Sequence, residues 1–271
     1  MARADAARYA GLAQLAAQTA LAVGERIKVD DIAIVTRKRG RANFATAADH
    51  AAELEILRRL RAHDKTIPIL AEESADRKLR TAERLWVVDP LDGTLNFSRA
   101  LPFYCVAIAY VEDGKTRAAA VHAPRTGELF VAHEGGGATL HAARITVSTV
   151  ARASEAFAVM SLAFKAGSRK DSRFTAMNST VARLRVIGSA ALEICYVACG
   201  RFDLFVHEAL APWDVAAAAL IAREAGAVVR SLKTGQDAAW DEPQVAIGNP
   251  KIVRDLFTKV PSLVRRPNKR G

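Results

Sequence analysis

The chain is short of cysteine, holding only Cys105, Cys195 and Cys199 in 271 residues. An odd number of scattered thiols in apolar surroundings argues against a disulfide framework and points to a reducing compartment. Cys195 and Cys199 stand four apart on an expected helix with no second Cys or His pair nearby, so zinc is not expected. Long hydrophobic runs are missing too: nothing approaches the ~20 apolar residues that a membrane-spanning helix needs. The start, Met1-Ala2-Arg3-Ala4-Asp5, opens into an amphipathic pattern without a signal-peptide core. A cytoplasmic location without membrane contact is expected. There is no Pro/Gly/Ser linker tract and no internal repeat, and aromatics are nowhere interleaved with basic residues as in RNA-binding modules.

Acidic residues are outnumbered, 29 against 39 Lys and Arg, leaving a formal charge of +10. Much of the excess is local, in Arg37-Lys38-Arg39-Gly40-Arg41 and in the tail Arg265-Arg266-Pro267-Asn268-Lys269-Arg270. Such runs read either as a solvated loop and a frayed end or as attraction for anions, phosphorylated substrates or nucleic acid. Charge alone leaves a nucleic-acid partner open, although none is expected.

What is present is a 51% apolar chain able to bury a substantial core. Residues 4–27 carry Ala and Leu at helical spacing, and a second helix is expected after Thr46, with Asp49 near its start. From Phe103 to Val147, apolar runs separated by Glu-Asp-Gly and Pro-Arg-Thr-Gly predict an antiparallel meander. Further on, helices are expected near 171–182, 189–199, 214–225 and 250–260, two of them closed by Gly200 and Gly226. Strands are expected near Ala156–Met160, Leu184–Val186 and Val245–Ile247. The result is an α+β protein in one compact domain, with halves of about 1–147 and 148–271 and a soft seam near 148–155.

The chemistry concentrates in Trp86-Val87-Val88-Asp89-Pro90-Leu91-Asp92-Gly93-Thr94-Leu95-Asn96-Phe97. An apolar strand ends in two carboxylates spaced i and i+3 and passes at once to a Gly-Thr helix start. Hard divalent cations take such oxygen ligands, and phosphate takes such a helix start. Pro90 stiffens the turn, and the Leu91 carbonyl can join the cup. Glu72, ending the run Ile67-Pro68-Ile69-Leu70, offers a third carboxylate, and Asp214, before an Ala-rich helix, a fourth. Each has a plainer reading, Glu72-Glu73 as surface acid at a strand end and Asp214 as a helix N-cap. Together they suit metal-assisted hydrolysis of a phosphate ester.

These motifs resemble the lithium-sensitive, Mg²⁺-dependent inositol monophosphatase family over nearly the full length. The resemblance rests on Ala71-Glu72-Glu73-Ser74, Trp86 to Phe97, and Trp213-Asp214-Val215-Ala216-Ala217 through Arg223-Glu224-Ala225-Gly226. Thr46-Ala47-Ala48-Asp49, Gly127-Glu128-Leu129-Phe130 and Gly188-Ser189-Ala190-Ala191 support it. It implies a layered α/β/α/β/α sandwich of the inositol monophosphatase and fructose-1,6-bisphosphatase type, usually a homodimer, with two or three Mg²⁺ ions. It further implies that Glu72, Asp89, the Leu91 carbonyl, Asp92 and Asp214 hold the metals. Thr94, partnered by Asp49, would act on the attacking water, with Glu72 also catalytic. Gly93 and Thr94 would grip the phosphate beside Asp92, and Gly188, Ser189 and Ala190 would line the alcohol side.

Departures from the family pattern bear on specificity. Asn43 stands where an acid is usual, Lys38 where a basic residue often lies near the phosphate, and His141-Ala142 replaces an Asn-Gly hairpin. His207 occupies the position of a glutamate that binds substrate hydroxyls, with Glu208 displaced by one residue and so turned to the other face of a strand. His207 reads either as a hydrogen-bonding structural residue or as a substrate contact, and in the second case it suits a substrate other than myo-inositol phosphate. The implied substrate is a small phosphate monoester of an inositol, polyol or sugar. Histidinol phosphate, fructose 1,6-bisphosphate, 3′-phosphonucleotides and an RNA-linked regulatory role are the alternatives.

Overall fold

The computed structural model describes residues 3–27, 34–37, 44–161 and 169–264. Lys38, Asn43 and the basic tail lie outside the described residues. The elements run α1 (Arg3–Ile27), β1 (Ile34–Arg37), β2 (Phe44–Thr46), α2 (Ala47–His63), β3 (Ile69–Ala71), β4 (Arg84–Asp92) and α3 (Thr94–Phe97). The meander follows as β5 (Cys105–Glu112), β6 (Lys115–Ala123), β7 (Glu128–His133), β8 (Gly137–Leu140) and β9 (Ala143–Arg144). Then come β10 (Phe157–Ser161), α4 (Arg169–Thr180), β11 (Arg183–Arg185), α5 (Ala190–Ala198), β12 (Leu204–His207) and α6 (Pro212–Glu224). The chain closes with β13 (Val228–Ser231), β14 (Val245–Gly248) and α7 (Pro250–Lys259).

Alternation along the strands sets the layers, because successive side chains face opposite sides. Strands β3 to β9 pair in sequence order as a seven-stranded sheet, parallel only between β3 and β4. Trp86, Val88, Val106, Ile108 and Tyr110 turn to one face and pack on Ala16, Ala20 and Val23 of α1 and Ile56 and Leu60 of α2. Leu85, Val87, Ala107, Ala109 and Val111 turn to the other face, against α5 and α6. The second sheet has the order β11-β10-β12-β14-β13. Its Val159, Phe205, Val229 and Ile247 meet the same two helices, while Met160, Val206 and Ala246 pack on Met177 of α4 and Ile252 and Leu256 of α7. The five layers are α/β/α/β/α.

The layer between the sheets is built from small residues: Ala216, Ala217, Ala218, Ala219 and Ala222 of α6 are all buried. Gly200 and Gly226, just past α5 and α6, have φ of 75° and 97°, the left-handed conformation that closes a helix. The two-residue turn between β8 and β9 is His141-Ala142, with φ of 49° and 65°. Both residues sit in the conformation that favours Asn-Gly in a tight hairpin. The short β1–β2 pair and the two-residue β9 are too brief to show in apolar periodicity, and β13 (Val228–Ser231) is not among the expected strands either.

Candidate active site

The parallel register of β3 and β4 pairs Ala71 with Val88, and the Glu72 N–H donates to the Val88 carbonyl at 3.2 Å. Glu72 therefore leaves its strand abreast of Asp89. The β4–β5 register pairs Asp89 with Ala107 and Asp92 with Cys105. Two residues, Pro90 and Leu91, thus oppose Val106 alone, a bulge that bends the strand and re-aims Asp92. Pro90 has no N–H to lose there. The Leu91 N–H donates to Asp89 Oδ1 at 3.0 Å, fixing that carboxylate against its own turn.

Gly93 follows at φ 96°. A Cβ there would stand 2.8 Å from the Phe103 carbonyl oxygen, so glycine is required on two counts. Thr94 then starts α3. Its hydroxyl lies 3.1 Å from Oδ1 of Asp49, a buried residue in the first turn of α2, and 3.2 Å from the Leu91 carbonyl. Both neighbours are acceptors, so they take the single hydroxyl proton and leave the Thr94 lone pairs for another donor. Asn96 braces the loop, its amide donating to the Phe103 and Ile187 carbonyls at 2.8 and 3.0 Å.

Asp92 is held from the other half of the chain. Its Oδ2 accepts the Ser189 hydroxyl at 2.7 Å and the Ala191 N–H at 2.8 Å, with the Cys105 thiol at 3.7 Å. Ser189 is wholly buried, so its side chain positions Asp92; only its neighbours Gly188 and Ala190 line the cleft. Asp214 sits at the third position of α6, with Oδ2 accepting the Ala211 N–H at 2.7 Å. It closes the helix start from inside and faces the same cleft as Asp92.

Burial pushes the Asp89 carboxyl well above its ordinary range, and the charges of Glu72, Asp92 and Asp214 push it further. Burial also raises Asp92, and burial together with Asp92 and Glu72 raises Asp214. Among the described residues, no lysine or arginine forms an ion pair with Asp89, Asp92 or Asp214. Nor do three His, Cys, Asp or Glu side chains among them form a group that could hold a metal ion, and Asp92 and Asp214 are engaged by backbone N–H groups. Mutually repelling, buried, all-oxygen donors fit a hard divalent cation, which would supply the counter-charge that no described lysine or arginine gives.

A cleft of about 200 Å³ lies beyond these acids, lined by Asp92, Gly188, Ala190, Glu193, His207, Ala209 and Asp214. His207 ends β12 on the cleft side, and its Nδ1 accepts the Ala209 N–H at 3.0 Å. Glu208 is buried and paired with Arg173 of α4. Glu193, absent from the expected site, is buried too, and its Oε1 accepts the Ile187 and Gly188 N–H groups at 2.8 and 3.0 Å. Desolvation pushes its pKa up to about 7. Its one signal in the sequence is a solitary acid in the otherwise apolar Ala190-Ala191-Leu192-Glu193-Ile194-Cys195.

The five stacked layers and the acid cleft at their junction define a phosphatase-family fold. The chain belongs to the inositol monophosphatase family, whose description matches residues 6–262. It is 39% identical over 230 residues to the Nus factor SuhB of Vibrio cholerae, covering 84% of this chain and 86% of the relative. It is 37% identical over 231 residues to a fructose-1,6-bisphosphatase/inositol-1-monophosphatase of Thermotoga maritima, covering 83% and 85%. Among solved structures, the extragenic suppressor protein suhB from Bartonella henselae is similar at a TM-score of 0.84 and 29% identity, with 92% of this chain and 98% of that one covered.

Proposed function

We propose that the protein is a Mg²⁺-dependent phosphomonoesterase acting on an inositol, polyol or sugar phosphate. The observation that carries this reading is the buried acid set of Asp89, Asp92 and Asp214, without an ion pair to any described lysine or arginine, with Glu72 beside Asp89 and the Thr94–Asp49 pair next to it. Glu72, Asp89, the Leu91 carbonyl, Asp92 and Asp214 would hold two or three Mg²⁺ ions, which neutralise phosphoryl oxygens and acidify water. Thr94 orients the attacking water through its lone pairs, and Asp49 holds the hydroxyl proton away from that water. The Gly93 and Thr94 N–H groups precede the first helical bond, from the Phe97 N–H to the Gly93 carbonyl, and so are left to face a phosphate.

The same reading takes the chain as one domain whose halves, about 1–147 and 148–271, each contribute acids. Homodimerisation is expected from the family resemblance, and Leu95, Leu101 and Val186 are among the exposed large apolar side chains that an interface could cover. No described helix is long and apolar enough to cross a membrane, and the odd cysteine count supports a cytoplasmic location. Li⁺ inhibition is expected from the family resemblance.

The test is Mg²⁺-supported phosphate release from inositol phosphates, histidinol phosphate, fructose bisphosphate and 3′,5′-nucleotides. Asp89→Asn is expected to lower release at least about 10³-fold, since a site that relies on bound metal loses its central ligand. Hydrolysis at the wild-type rate by that variant would end the reading. The second reading is a regulatory contact with nucleic acid, favoured by a relative called a Nus factor and by the +10 charge. RNA binding that weakens steeply with salt and persists in Asp89→Asn would support it.

A further inference from the structure

Glu193 is 1% exposed, yet it lines the cleft beside Asp214 and His207. Its Oε1 is occupied by two backbone N–H donors. Oε2 makes no hydrogen bond within the protein among the described residues and is not among the atoms sealed from solvent. One oxygen of a buried carboxyl therefore anchors the Ile187–Gly188 turn while the other is left for the cleft that Glu193 lines. Burying an acid without satisfying both oxygens is costly, and a ligand hydroxyl in the cleft would satisfy the second.

His207 supplies the complementary chemistry. A backbone N–H can only donate, so the bond from Ala209 requires Nδ1 to be the unprotonated nitrogen. The neutral ring then carries its proton on Nε2 and donates from there. A carboxyl that accepts when ionised and an imidazole that donates, lining one cleft, match an alcohol O–H, which does both. The cleft of about 200 Å³ lies below the roughly 300–1,000 Å³ of drug-sized sites, a size that suits a small alcohol.

We propose that Glu193 is a specificity-determining residue: its cleft-facing oxygen, with His207, binds a hydroxyl of the leaving alcohol and selects phosphates of small polyols over esters lacking a second hydroxyl. The assignment rests on the phosphatase reading above. Glu193→Gln is the diagnostic variant, because its amide oxygen can still accept from Ile187 and Gly188 while an NH₂ group replaces the outward oxygen.

The experiment compares kcat/KM for inositol 1-phosphate and for p-nitrophenyl phosphate in Mg²⁺. The ratio is expected to fall about tenfold in Glu193→Gln, mainly through KM for the polyol ester. An unchanged ratio, with both esters slowed alike or neither affected, would mean that Glu193 only supports the turn and would overturn the proposal. Calorimetry with Ca²⁺ in place of Mg²⁺ gives a readout independent of turnover. Wild type is expected to prefer inositol 1-phosphate to methyl phosphate, and the variant to lose at least about fivefold of that preference. If wild type releases phosphate from no ester, the phosphatase reading fails, and the binding preference alone decides the role of Glu193: equal preference in both proteins refutes it.

Discussion

Ser189 and Asp92, 97 residues apart in the chain, are joined by a 2.7 Å hydrogen bond from the buried hydroxyl to Oδ2. The carboxylate is thus presented by one sheet and oriented by the helix layer that packs the other. Groups that orient a metal ligand typically contribute 10–100-fold to metal affinity. Ser189→Ala is therefore expected to raise the Mg²⁺ concentration for half-maximal activity about tenfold, with little loss of rate at saturation. A Mg²⁺ titration of phosphate release that superimposes on wild type would show that Ala191 alone suffices.

On the proposed reading, the Thr94–Asp49 contact acts separately on the attacking water. Thr94→Ala is expected to lower kcat by about 10²-fold, the usual scale of proton handling by a positioned side chain. Thr94→Ser should retain most of the rate. Steady-state kinetics at saturating Mg²⁺ decide it, and equal loss in both variants would point to the methyl group and its packing.

Acid stability should depend on Glu112, which is far from the cleft. Arg8 donates to both its oxygens, and Tyr9 and Tyr110 donate to one each. Led by the Arg8 bonds, they hold its pKa down at about 2 against 4.5 in an unfolded chain. A lowered folded-state value means stability fully present above about 4.5 and lost as pH falls towards about 2. Glu112→Gln is expected to cost about 2 kcal/mol at neutral pH and less at pH 3. Urea unfolding at both values tests this, and a loss that does not shrink in acid contradicts it.

The His141-Ala142 turn stores strain, since a left-handed backbone costs roughly 1–2 kcal/mol for a residue with a Cβ. Ala142→Gly should stabilise the protein by about 1 kcal/mol and raise Tm by about 2–4 °C. Calorimetric melting that shows no gain would mean that local contacts already offset the strain.

Much of this architecture is legible in residue patterns. The apolar run ending in Asp89, the Gly-Thr junction and the turn signals of the meander are local features, and the strands follow from them. The partnerships are not local. Ser189 reads as a cleft-lining residue until packing shows its hydroxyl turned inward to Asp92. Asp214 reads as an N-cap, whereas it stands three residues into α6 and accepts the Ala211 N–H. Glu193 carries no motif, and its significance arises only where the Ile187–Gly188 turn meets the end of β12.

The alanine body of α6 acts as a spacer gauge between the two sheets. Asp214 rides on the first turn of that spacer, so its position depends on how closely both sheets close on Ala216 to Ala222. A methyl group added at the far end of the helix touches no reacting atom, yet it would have to be absorbed by tilting the rod that carries the acid. Mutational sensitivity in this protein should therefore run along an axis of silent, apolar residues as well as around the rim of the cleft.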